Sequence, residues 1–448
     1  MTKDRGFYSN FFSLWKILVL NNIIILGVNL ADNIMLGRFD EFALGGATAC
    51  NQVQFVFQQV ILGLSNAVVV LGSQYWGEKR TGPIKKLSSA AVALGIIFSA
   101  ILFVFASVMP EKVVGLFTDS QKIIEEGVTY LSIIKYTYPV FALTNIILAI
   151  LRSVESIKVG FYVSVTTLVL NISLNYVLIF GKLGFSPMGA KGAAIATLIA
   201  RIGELIFVII YVLFIEKKIK WSVSDLRHQD KSLVKKYCKT CIPFVITDGL
   251  FGVSTALQTV ILGHMTEAAL TANSVSTTLY QVLKVAAVGS ASAAAVIIGK
   301  TIGEGKTIEK IKEYTKTLQI IFLLMGIATS IILFIVRIPI VSMYNISDEA
   351  KSLANGFLLV LCVTCIGTAY QMPTNTGIIR GGGDSKFILI VDIISIWGIV
   401  LPLSFVAAFV WKWHPIAIIA CLNADQIFKS VPAFIKANRY KWIRRLTK

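Results

Sequence analysis

The sequence predicts an all-α polytopic membrane protein with twelve transmembrane helices in two six-helix lobes. Three observations carry that expectation. Apolar residues make up 56% of the 448-residue chain and charged residues only 15%, with a mean hydropathy of +0.76, more apolar surface than a soluble core absorbs. Apolar stretches of about 20 residues or more, each enough to cross a ~30 Å hydrocarbon layer, recur along the whole chain. Lysines and arginines gather in alternate breaks between them.

The stretches run over 12–37, 43–74, 88–109, 128–151, 160–181, 189–215, 238–263, 267–299, 317–336, 353–379, 387–411 and 414–435. The first is too long for a signal peptide, contains Lys16 and Asp32, and lacks a cleavage site, so it reads as a retained span. With the N-terminus in the cytoplasm, segments 75–87, 216–237, 300–316 and 436–448 fall on one side. About thirty basic residues then lie on that side and about eight on the other. Both termini are expected in the cytoplasm. The net charge of +18 thus reports topology and contact with anionic lipid, and no nucleic-acid partner is expected.

The chain aligns with itself. At a shift of about 226 residues, LGRFDEFAL at 36–44 meets LGHMTEAAL at 262–270, pairing Gly37 with Gly263, Glu41 with Glu267 and Leu44 with Leu270; Gly63 meets Gly289, Gly77 meets Gly303 and Glu78 meets Glu304. At a shift of 228, ILRSVESIK at 150–158 meets IIRGGGDSK at 378–386. An even number of spans per half returns the chain to its starting side, so the pseudo-twofold axis is expected along the membrane normal, with a central cavity that rocking exposes to each side in turn. The expected division is an N-terminal lobe 1–215, a cytoplasmic linker 216–237 and a C-terminal lobe 238–448 with a basic tail.

Ionisable residues inside hydrocarbon are costly and mark function by default. Removing the loops leaves Lys16, Asp32, Lys135, Arg201, Glu204, Asp248, Lys284, Asp392 and Asp425. Lys16 can snorkel, Arg201 and Glu204 are one turn apart and can pair, and Asp392 is near enough to its span end to reach back to the loop. Asp32 differs. It lies about six residues from the outer end of span 1, while Asn171 and Asn175 share a face of span 5 and Thr197 enters span 6 to the same depth, roughly 9 Å below the surface at 1.5 Å per residue. A carboxylate, two amides and a hydroxyl at one depth make an oxygen-rich cage for a hard monovalent cation or a proton. Asp248 and Lys284 fall near mid-membrane, where two opposite charges either pair with each other or line the substrate cavity. Pro139, Pro243, Pro373 and Pro402 are expected to interrupt helices.

Other motifs carry no chemistry. Cys238 and Cys241 lie in a basic segment, Cys362 and Cys365 in an apolar span, so no metal site or disulfide is expected. GKTIGEGKT at 299–307 has the wrong glycine spacing for a phosphate loop. His228, His264 and His414 form no catalytic group. An enzyme and a cofactor are not expected.

ADNIMLGRFDEFALGG, LNISLNY, GAKGAAIAT and GIIRGGGDSKF together resemble the multidrug and toxic compound extrusion (MATE) family, across nearly the whole chain. The resemblance implies two six-helix lobes, export of amphiphilic organic and often cationic molecules, and exchange for H+ or Na+. Matched to the family's motifs, Asp32, Asn171, Asn175 and Thr197 form its amino-terminal-lobe cation site, with the Ala193 carbonyl a further ligand. The chain departs from the family in three places. SLWKILVL lacks the proline many members have in span 1, position 175 is an amide where some members carry an acid, and GTAYQMPTN lacks the acid of a second, carboxy-terminal cation site. The resemblance further implies a monomer in a plasma membrane, bacterial in origin, with lipids and small organic substrates as partners. A lipid-linked oligosaccharide flippase is the alternative within the same superfamily; its cavity would be strongly cationic, whereas the charges here are mixed.

Overall fold

The computed structural model describes every residue except 119, 221–224, 226–229, 264, 345 and 448, so His228 and His264 lie outside the described residues. The described chain is helical throughout. Twelve spans follow in order: α1 Arg5–Phe39, α2 Glu41–Gly77, α3 Thr81–Val108, α4 formed by Gln121–Ile134 with Thr137–Ser153, α5 Lys158–Phe180, α6 Gly189–Ile215, α7 Lys231–Gly263, α8 Glu267–Gly303, α9 Ile308–Ser342, α10 Asp348–Ile379, α11 Ser385–Val410 and α12 Pro415–Arg439. Eleven are long and apolar enough to cross by themselves; α4 completes the twelve as a pair bent by 52°.

Short polar residues set the starts of the spans by accepting amide protons that the first helical turn leaves unpaired. Asp4 receives Gly6 N–H at 2.9 Å, Asp40 receives Ala43 N–H at 2.8 Å, and Thr266, Thr307 and Ser347 do the same for α8, α9 and α10. Gly181, at φ +66°, ends α5 in the left-handed conformation that glycine adopts without strain.

The prolines behave differently from one another. Pro139 follows directly on the bend of α4, whereas Pro243 sits inside an unbroken α7, its carbonyl accepting the Thr247 hydroxyl at 2.7 Å. At Pro373 α10 widens to bonding five residues back, with Arg380 N–H on the Asn375 carbonyl at 2.9 Å. α11 widens likewise over Ile393–Val400, just before Pro402.

Two compact units emerge. One comprises Leu20–Trp76 and Arg80–Gly249; the other comprises Met1–Val19, Gly77–Lys79 and Leu250–Lys448. α1 and α7 therefore each contribute a segment to both units, whereas boundaries drawn from the repeat assign each helix whole to one lobe. In the first unit α5 and α6 pack closely because GAKGAAIAT presents small residues: a side chain at Gly192 would come within 2.7 Å of the Leu178 carbonyl. In the second unit the glycines of GIIRGGGDSKF serve two neighbours. Gly377 and Gly381 lie against Ala291 and Ala295 of α8, and Gly382 forms the seat of Trp442, whose ring a Cβ at Gly382 would meet at 2.1 Å. Trp442 is 0% exposed, and Asp384 beside the seat pairs with Lys436 at 2.8 Å and Arg444 at 3.1 Å.

Candidate ion-coupling site

The expected cage residues of the first unit are brought together as a linear string. Asn175 donates to the Asp32 carboxylate from its side-chain amide and to Asn171 Oδ1 at 3.1 Å; Asn171 Nδ2 in turn reaches Thr197 Oγ1 at 3.4 Å. Asn171 and Asn175 are fully buried, Asp32 and Thr197 half-buried. The Asn175 carbonyl oxygen is buried without a partner. Ala193 is buried one turn ahead of Thr197, where regular helical bonding directs its carbonyl to the Thr197 amide.

A second contact fixes the register. Ser164 donates to Asn21 at 2.5 Å, and the two pairs, Asn21 with Ser164 and Asp32 with Asn175, share the same separation of 143 residues. Moving eleven residues along α1 thus corresponds to moving eleven along α5, about three turns of each. The two helices run in the same direction, as any two odd-numbered spans do in a chain that crosses at every helix, and the two contacts set their register.

One turn beyond Thr197, Arg201 forms the expected pair with Glu204 at 2.8 Å, its guanidinium 5.2 Å from the Phe141 ring centre. Tyr130 of α4 is buried within electrostatic reach of Asp32 and Arg201; nothing in its spacing marked it. The repeat puts Gln258 opposite Asp32, and Ile399 and Leu403 opposite Asn171 and Asn175, so the second half carries no equivalent of this string.

Asp248 accepts from Asn66 Nδ2 at 3.3 Å within the first unit. Lys284, in the second unit, lies over the Phe251 ring at 5.7 Å. Asp392 does not reach back to the loop. It pairs with Lys429 at 2.7 Å, and Lys429 also holds Asp425 at 3.0 Å. Lys429 falls inside the last apolar stretch and was not singled out from the sequence, because it reads there as the first cation of the basic tail. Gln426 donates to both oxygens of Asp425 at 3.0 Å and accepts from Thr368 and Gln371 at 3.0 Å each, while Thr368 shares a hydrogen bond of 2.7 Å with Tyr280. All six cysteines are free, and among the described residues no group of three histidines, cysteines or acids could hold a metal.

The family model MatE matches residues 18–177 and again 243–406. The chain belongs to the MATE family. The two matches begin 225 residues apart, at 18 and 243, close to the shifts that align the chain with itself. The uncharacterized transporter YisQ of Bacillus subtilis is 23% identical over 446 residues, covering 98% of this chain and 95% of YisQ. A probable multidrug resistance protein NorM of Thermotoga maritima is 24% identical, covering 95% of this chain and 90% of its own length. Among solved structures, the Vibrio cholerae MATE transporter VcmN in its bent form matches with a TM-score of 0.85 at 17% identity, covering 98% and 99% of the two chains. The protein is therefore a multi-pass MATE transporter with the MATE fold, not an enzyme, in a family of ion-coupled antiporters of small organic substrates.

Proposed function

We propose that this MATE protein is a secondary active exporter of amphiphilic organic molecules, often cationic, that exchanges them for H+ or Na+ through the Asp32 site by alternating access. The observation that carries this reading is a single carboxylate within a span, hydrogen-bonded to a buried amide string that joins three spans. A carboxylate held this way gains or loses one charge with its ion, and that change alters its bond to Asn175. The names of the NorM relatives support a drug-like substrate. The protein sits in the plasma membrane as a monomer with both ends in the cytoplasm.

H+ and Na+ make different demands on the same residues. A proton needs only the Asp32 carboxylate, whereas sodium needs several oxygens, including the Asn175 oxygen that now has no partner. Purified protein in liposomes, loaded with an amphiphilic fluorescent cation and given a proton or a sodium gradient separately, tests the reading. Export that ignores both gradients overturns it. Thr197→Ala and Asn175→Ala weaken sodium-driven export strongly if sodium is the ion and proton-driven export mildly if it is not.

A further inference from the structure

α1 and α5 end beside each other, where the rings of Phe39 and Phe180 meet with centres 6.4 Å apart; the proposed topology places both ends outside. Between the two helices lies an open groove of about 600 Å³, within the size range of ligand sites. Its apolar walls are Ile34 and Met35 of α1 and Tyr176 and Phe180 of α5. Ile34 is 47% exposed and Tyr176 53%, about 7 Å and 6 Å below the ends of their helices at 1.5 Å per residue. That depth is the layer where acyl chains give way to headgroups and tyrosine is favoured. Two cations line the same groove: Arg38 in the last turn of α1, and Lys182 just past Gly181, which ends α5. Among the described residues neither side chain makes a hydrogen bond or an ion pair.

A cation at each helix end is accounted for by the C-terminal carbonyls it complements. Helix ends do not account for two cations lining one groove, on a side to which the proposed topology assigns only about eight basic residues. Such a groove takes a molecule with an anionic head and an apolar tail. Arg38 and Lys182 repel a cationic transported molecule, and a free phosphate leaves the apolar walls bare. The bilayer itself supplies the matching molecule at this depth. We infer that the groove between α1 and α5 binds an anionic phospholipid of the outer leaflet, its phosphate held by Arg38 and Lys182 and the start of an acyl chain lying on Ile34, Met35 and Tyr176. The guanidinium matches phosphate through two parallel hydrogen bonds, and the lysine adds a second charge on a stem that lies along apolar surface. The lipid touches both helices that Asp32 and Asn175 join: Ala31, also in the groove wall, directly precedes Asp32, and Tyr176 directly follows Asn175. Its leaflet follows from the proposed topology, whereas the chemistry of the groove does not depend on it.

The test is photocrosslinking of purified protein in phosphatidylcholine nanodiscs. The discs hold, at equal mole fraction, either a phosphatidylglycerol or a phosphatidylcholine with a diazirine on an upper carbon of one acyl chain, and labelled peptides are mapped by mass spectrometry. Within 31–38 and 176–182, wild-type protein is expected to take roughly tenfold more label from the phosphatidylglycerol. In the double variant Arg38→Gln, Lys182→Gln that excess disappears, while labelling of the basic segment at the start of α7 stays as in the wild type. Excess glycerol 3-phosphate, which carries the head without the tail, leaves the labelling of the groove unchanged. Equal labelling of the groove by the two lipids, an undiminished excess in the double variant, or displacement by glycerol 3-phosphate overturns the inference. The wild-type ratio decides even if the variant does not fold. Asp32→Asn should keep that ratio, so loss of ion coupling and loss of this lipid site are separate failures.

Discussion

Asn175 gives a side-chain N–H to the carboxylate of Asp32, and the same amide nitrogen also serves Asn171. Asp32→Asn keeps the shape and an acceptor for Asn175 but removes the ion-dependent charge. Normal expression and melting with loss of gradient-driven export is the expected result. Asn175→Ala strips both neighbours, whereas Thr197→Ala touches only the 3.4 Å contact to Asn171. If sodium is the ion, both changes should slow coupled export strongly, roughly tenfold for Asn175→Ala, which removes a donor to a charged group; if a proton is the ion, both should be mild. Reconstituted transport rates, normalised to protein, decide; well-folded Asp32→Asn protein with full driven export would remove the residue from coupling.

Lys429 is the counter-ion of two carboxylates, and its side chain and that of Asp425 are 5% and 6% exposed. Lys429→Met leaves both acids without it, which for a buried pair costs about 3–5 kcal/mol. The melting temperature of the purified variant should fall clearly. Adding Asp392→Asn and Asp425→Asn to it should recover most of the loss, because no uncompensated charge remains. A triple variant as unstable as the single one would show that Lys429 acts through packing.

Asp4 lies before α1, where it accepts the Tyr314 hydroxyl at 2.6 Å and the amides of Gly6 and Phe7. The Tyr314 hydrogen bond, followed by these amides, holds its carboxyl below the usual carboxylate range. A depressed value means that the stabilisation is fully present above the unfolded value, about 4, and disappears as pH falls through the lower folded value. Protection of the amides at the start of α1, taken relative to their intrinsic exchange rate at each pH, should fall over that acid window in the wild type. In Asp4→Asn it should be lower already at neutral pH and unchanged across the window.

Lys85 and Lys310 occupy equivalent breaks of the two halves, each in a local ion pair, with Asp225 at 3.2 Å and Glu313 at 3.2 Å respectively. With the native cysteines replaced, a cysteine at either position should react with a membrane-impermeant thiol reagent only after the membrane is opened. One at Lys182 should react from outside. Labelling of position 85 or 310 in intact cells contradicts the proposed topology.

The spans were legible because each is a long apolar run, and the string at Asp32 because equal depths on three helices can be counted from their ends. The Arg201 and Glu204 pair was legible from helical spacing alone. What could not be read follows from contacts that spacing does not encode. The bend of α4 lies inside an apolar pattern that continues through Tyr136. Asp392 finds its partner 37 residues away, on a lysine that resembles the tail it precedes. The division of α1 and α7 between two units depends on which neighbours pack against each helical segment, and hydropathy carries no trace of that.

Trp442 fills a seat formed at Gly382, 60 residues earlier in the chain. During synthesis that seat is made long before its occupant exists, so the unit cannot close until residue 442 has left the ribosome. A stop codon at position 440 would leave the glycine turn between α10 and α11 uncovered, and Asp384 without Arg444. Such a truncation should be met by cellular quality control as an unfinished protein, with low abundance rather than altered transport as its phenotype.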